Sequence, residues 1–124
     1  MPASIAPASF SADLSGCALS AVDGDEVAAL FIDAVRQAGG TIVNMVSHAF
    51  PRLGLTCVLV LRESHAVLHT WPETGTVNID IFSCTPRLKS VEAIHALGRC
   101  LGARHVSIQE IARADGHADR AIGV

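Results

Sequence analysis

The stretch RESHAVLHTWPETG, from Arg62 to Gly75, sets a Glu-Ser pair, two histidines and the only tryptophan of the chain within one short segment. Ser64 and the later Cys84 can act as nucleophiles, His69 is the side-chain type that moves protons near neutral pH, and Glu73 and Asp80 are acids able to orient it. Such a set has the residue types of acyl-transfer chemistry. No GxSxG elbow accompanies it, and a free cysteine is often no more than a small buried hydrophobe. The types alone therefore leave two answers open, a structural strand or a reactive centre. A metal site is the weakest option. His65 and His69 would meet on a helix, but this segment reads as a strand, where they share a face about 13 Å apart at about 3.3 Å per residue. One ion cannot bridge that span.

The elements around this segment follow from periodicity. Ser9 to Ser15 reads as a short strand closed by Gly16. In DGDEVAALFIDAVRQAGG the residues Val27, Leu30, Phe31, Ala34, Val35 and Ala38 recur on one helical face, Asp23 or Asp25 can cap the start, and Gly39-Gly40 ends it. Thr41 to Phe50 and Leu55 to Arg62 are β-branched and apolar, and Ser64 to Trp71 pairs with Thr76 to Cys84 around Pro72-Glu73-Thr74-Gly75. A second helix begins near Ser90 and is expected to turn Val91, Ile94, Leu97 and Leu101 inward. Gly102 closes it, and His105 to Ile111 forms a last strand. The pattern predicts an α+β fold: a two-layer sandwich with a mainly antiparallel sheet and both helices on one face. Val58 to Leu61 is apolar on both strand faces, so a second copy is expected to cover the other side, the molecule dimerising through its sheets.

Composition narrows the function classes. At 124 residues one domain is expected, 1–124. Half the chain is apolar and 17% is charged, a balance that disorder does not show. The net charge is −3 with no Lys/Arg cluster, which argues against a nucleic-acid partner. No apolar run approaches the roughly 18 residues of a membrane span. The start, MPASIAPASFSADLSG, lacks a charged n-region and a continuous apolar run, so it does not read as a secretory signal. Cys17, Cys57, Cys84 and Cys100 are widely spaced with no CxxC pair. These features give a cytoplasmic location as the expectation, with reduced thiols and no metal.

Residue order says more than spacing. The run ESHAVLHTWPETGTVNIDIFSC, Glu63 to Cys84, resembles the core motif of prokaryotic S-adenosylmethionine decarboxylases, approximately ESH, three residues, HTWPE, one residue, G, three residues, ID, two residues, then Ser or Thr and Cys. Every fixed position is matched. The resemblance extends more loosely to GGTIV, His48 and Phe50, and the last strand with Glu110 and Arg113. It implies a proenzyme that cuts itself between Glu63 and Ser64 into a β chain, 1–63, and an α chain, 64–124. Ser64 would become a covalent pyruvoyl group that forms a Schiff base with the substrate amine. The same resemblance makes His69 the proton acceptor in processing, Cys84 the proton donor to the substrate carbon, and Thr56 the processing hydroxyl, in place of the usual serine. Phe50 would stack on the adenine, and Glu73 would hold the ribose.

What the resemblance implies at the level of function is conversion of S-adenosylmethionine to its decarboxylated form and CO2 for polyamine synthesis, in a homodimer of αβ units. The N-terminal strand keeps Asp13, Leu14, Gly16 and Cys17 of the family pattern but has no Tyr, and the chain contains none anywhere. The same pyruvoyl chemistry serves arginine and ornithine decarboxylases, which stand as the alternative substrates. A silent partner subunit is a third alternative, against which the intact Glu63-Ser64 pair speaks.

Overall fold

Alternation of apolar and polar residues with period two builds the centre of the molecule. In the computed structural model, which describes residues 7–19, 23–51, 54–84 and 88–114, six strands and two helices follow in the order β1 (Ala8–Ser15), α1 (Gly24–Gln37), β2 (Ile42–Phe50), β3 (Gly54–Leu61), β4 (Ser64–Trp71), β5 (Thr76–Ser83), α2 (Ser90–Cys100) and β6 (His105–Ala112). The strands form one antiparallel sheet in the order β2-β3-β4-β5-β1-β6. Leu55, Cys57, Leu59 and Leu61 of β3, Ala66 and Leu68 of β4, and Val77, Ile79 and Ile81 of β5 all point to one buried face. Both helices lie on that face and fill it with Val27, Phe31, Val35, Ile94, Leu97 and Leu101. The α+β sandwich with its helices on one side is the architecture the pattern predicts.

Helix α1 starts where its cap can be satisfied: Asp23 Oδ1 accepts the Glu26 N–H at 2.8 Å, with Asp25 and Glu26 favourably placed in the first turn. It ends at Gly39-Gly40, whose N–H groups turn back onto the Arg36 and Val35 carbonyls. In α2 one expectation is corrected. Its buried stripe is Ser90, Ala93, Ile94, Leu97 and Gly98, continued by Leu101, so Val91 falls at the edge of that stripe, just outside the side-chain-less Gly98, and is 40% exposed. Gly98 brings the helix onto the sheet, since a Cβ there would stand 3.3 Å from Val106 Cγ2.

The sheet's other face carries no element of this chain among the described residues. Asn44, Val46, His48 and Phe50 on β2 share it with Thr56, Val58 and Val60 on β3 and His65, Val67, His69 and Trp71 on β4. Val46 is 61% exposed and Val60 43%. No helix among the described residues is long and apolar enough to cross a membrane.

Candidate active site

The Glu63-Ser64 bond lies in the tightest link of the sheet. Leu61 and Ser64 are paired across β3 and β4, so Arg62 and Glu63 alone make the turn, and the Arg62 N–H is tied to the Thr41 carbonyl at 3.0 Å. Glu63 takes φ +59, the single non-glycine residue with positive φ among those described. A side chain in this left-handed region costs roughly 1–2 kcal/mol, and the strain sits directly on the N-terminal side of Ser64.

Ser64 opens β4 on the helix-facing side and is buried there. Its Oγ accepts the Cys84 N–H at 3.4 Å, while the Cys84 thiol donates to the carbonyl oxygen of Glu63. Cys84 reaches this place because β5 ends at Ser83, beside the start of β4. A hydroxyl, the carbonyl before it and a thiol on that carbonyl are thus gathered at one point. A cavity of about 240 Å³ opens on Glu63 and Ser64, lined also by Gly40, Thr41, Leu61 and Leu88.

His69 belongs to a second cluster. It stands five residues beyond Ser64, an odd number, and so projects from the opposite face of β4, about 17 Å along the strand at 3.3 Å per residue. Thr56 is its direct cross-strand partner, and the Thr56 Oγ1 to His69 Nδ1 distance is 2.6 Å. The His69 ring meets Trp71 with centroids 4.5 Å apart at 61° and lies 6.1 Å from Phe50, which in turn meets His48 at 4.6 Å. Glu73 is exposed in the 72–75 turn that follows Trp71.

Of the residues singled out by sequence, the fold brings Glu63, Ser64 and Cys84 together at one end of β4, and Thr56, His69 and Phe50 together on the open face, with Glu73 beyond the other end. Within one chain it does not bring the two groups to each other. Trp71 and Asn78 are not among the residues to which the sequence assigns a role. The structure ties them together, the Trp71 indole N–H donating to Asn78 Oδ1 at 2.6 Å and Asn78 Nδ2 to Asp13 Oδ1 at 2.7 Å. The alternation of β4 and of β5 puts both on the face opposite the core and could have flagged them, but the partnership of Asn78 with Asp13, 65 residues away, has no local signal. Burial pushes the thiols of Cys17 and Cys57 up from their ordinary pKa, which keeps both protonated and unreactive.

A profile of the family described as S-adenosylmethionine decarboxylase matches residues 8–114. The chain is 38% identical over 85 residues to the S-adenosylmethionine decarboxylase proenzyme of Pseudomonas aeruginosa, a match spanning 68% of this chain and 53% of that relative. It spans only about half the length of those Pseudomonas relatives. With the proenzyme of Pelotomaculum thermopropionicum it shares 31% over 103 residues, 82% of each chain. The crystal structure of the adenosylmethionine decarboxylase from Aquifex aeolicus superposes with a TM-score of 0.79 at 26% identity, covering 96% of this chain and 99% of the other. With the strand order, the hairpin at Glu63-Ser64 and these matches together, the chain belongs to the S-adenosylmethionine decarboxylase family.

Proposed function

We propose that this protein is a self-processing, pyruvoyl-dependent decarboxylase acting on S-adenosylmethionine. The observation that carries the reading is the grouping at the hairpin: a strained Glu63, the Ser64 hydroxyl next to its carbonyl, and the Cys84 thiol on the carbonyl oxygen. In the first step Ser64 Oγ bonds to the Glu63 carbonyl carbon, the C–N bond to residue 64 breaks, and the freed nitrogen takes up a proton. The Cys84 thiol donates to the oxygen on which negative charge builds. Removal of the Ser64 α-proton by His69 then expels the Glu63 carboxylate from Cβ. Water replaces the remaining nitrogen, which leaves as ammonia, and residue 64 ends as a keto group at the start of the second chain.

The pocket around Ser64 fits that product. A pyruvoyl group needs no more room than the serine it replaces, and the 240 Å³ cavity beside it admits a substrate group. When formed, it supplies a carbonyl that condenses with the substrate amine and accepts the electrons left as CO2 departs. Cys84, on the same spot, is then the proton donor to the substrate carbon. Phe50 offers a ring for the adenine and Glu73 a carboxylate for the ribose hydroxyls.

His69 reaches Ser64 only if it comes from a second copy. The partner we infer is another chain laid against the open face, where Phe50, Val46, Val60 and Trp71 are exposed. Covering these side chains removes apolar surface from water at about 25 cal/mol per Å². The purified protein is expected to give two fragments, each near half of 12.9 kDa, and to release CO2 from S-adenosylmethionine. Ser64→Ala should remain whole. A native chain that stays uncut, or a Ser64→Ala chain that still divides, overturns the reading.

A further inference from the structure

A row of polar side chains runs across the open face in direct register: His48 on β2 faces Thr56, Thr56 faces His69, His69 faces Asn78, Asn78 faces Asp13, and Asp13 faces Ser107. Its middle is hydrogen-bonded through side chains, with Trp71 Nε1 to Asn78 Oδ1 at 2.6 Å and Asn78 Nδ2 to Asp13 Oδ1 at 2.7 Å. The chemistry of the ends fixes the middle. An indole N–H can only donate and an ionised carboxylate can only accept, so the amide of Asn78 has one orientation that satisfies both. Asn78 therefore locks the indole, and the indole stands against His69 with ring centroids 4.5 Å apart.

We propose that Asp13, Asn78 and Trp71 form a positioning relay for His69, with Asp13 as its charged anchor. The proposal rests on the role of His69 in self-cleavage given above. Asp13 lies two strands away from His69, about 10 Å at the usual strand spacing, and acts through the two intervening side chains rather than by contact. Thr56 engages Nδ1 from one side, and Trp71 packs on the ring from two residues further along the same face of β4, so the imidazole is held in one orientation with Nε2 left to exchange the proton. A proton acceptor must sit within hydrogen-bond reach of the carbon acid it serves, and an error near 1 Å costs up to about 100-fold in rate. In the single chain the relay is wet, Trp71 being 41% exposed, and a second copy over this face would strengthen each of its bonds by excluding water.

The relay is tested by exchanging its ends. Asn78→Asp sets two carboxylates against each other, whereas Asp13→Asn with Asn78→Asp restores a donor facing an acceptor at both junctions. Self-cleavage of freshly made proenzyme should slow about tenfold or more in Asn78→Asp and in Asn78→Leu, and return to within about threefold of native in the exchanged double variant. Nitrogen-15 shifts of the His69 ring, read in an uncut Ser64→Ala background, should report a single tautomer in the native pair. They should average in Asn78→Asp and recover in the exchange. Melting of the same uncut background shows whether each variant folds, and should Asn78→Leu fail to fold, the exchange pair decides the matter. Native-rate cleavage in Asn78→Asp, or no recovery in the exchange, overturns the relay while loss of cleavage in His69→Ala leaves the functional reading standing. Native-rate cleavage in His69→Ala overturns the role of His69 itself.

Discussion

Cys84 and Glu63 set how the Glu63-Ser64 bond breaks. The Cys84 thiol rests on the Glu63 carbonyl oxygen, so its removal should be felt before any substrate is present. Loss of a strong oxyanion donor costs about 100-fold or more, and a thiol is a weaker donor. Cys84→Ala should therefore slow self-cleavage by about tenfold, followed as conversion of whole chain to fragments, and Cys84→Ser should recover part of the rate because it keeps a donor. Cleavage at the native rate in Cys84→Ala would remove the thiol from this step. Glu63 makes a complementary case. At φ +59 glycine avoids a penalty of about 1 kcal/mol, partly offset by its greater freedom in the unfolded chain. In the uncut Ser64→Ala background, Glu63→Gly should thus raise stability by about 0.5 kcal/mol, measurable by denaturant unfolding.

At the scale of elements, the strands rest on a few close approaches. Gly54 opens β3 at φ +104, and a Cβ there would fall 2.0 Å from the Thr70 carbonyl oxygen, while the neighbouring Leu55 N–H is bonded to Thr70 Oγ1 at 3.0 Å. Gly54→Ala must push β3 away from β4 near the Thr56–His69 pair, so a loss of about 1–3 kcal/mol is expected, with a lower melting temperature. The strands themselves were legible in the sequence. Ser64 to Trp71 is found with the bounds its alternation predicts, and no other strand end shifts by more than one residue, β3 shifting by one at both ends. Even the split of the site was legible, because Ser64 and His69 are an odd number apart on one strand and must face opposite ways. What local pattern does not hold is the strand order. β1 inserts between β5 and β6, joining Asn78 to Asp13 and Arg113 to Ser9, the latter pair 104 residues apart. Val91 fell to a similar cause: a helix stripe is placed by what it packs against, and the stripe here begins on the polar Ser90.

For the molecule as a whole, the division of the site between two faces makes a demand that one chain cannot meet. Ser64 lies on the helix side of the sheet, met at the hairpin by Glu63 and Cys84, while His69, Thr56 and Phe50 lie on the open side. If each site takes its nucleophile from one copy and its base from the other, two dead chains should repair each other. A Ser64→Ala chain keeps His69, and a His69→Ala chain keeps Ser64. Paired in one dimer, they rebuild one complete site, and the chain that should divide is the His69→Ala chain, whose serine is intact. Each variant made alone should stay whole, or in the case of His69→Ala stall at the ester. Made together with distinguishable tags, the pair should give fragments from the His69→Ala chain only, limited to the share of molecules that are mixed dimers, about half for random pairing of equal amounts. Fragments from the Ser64→Ala chain would break the assignment of the nucleophile, and no fragments from either would place Ser64 and His69 within a single copy, with β4 moving to bring them together.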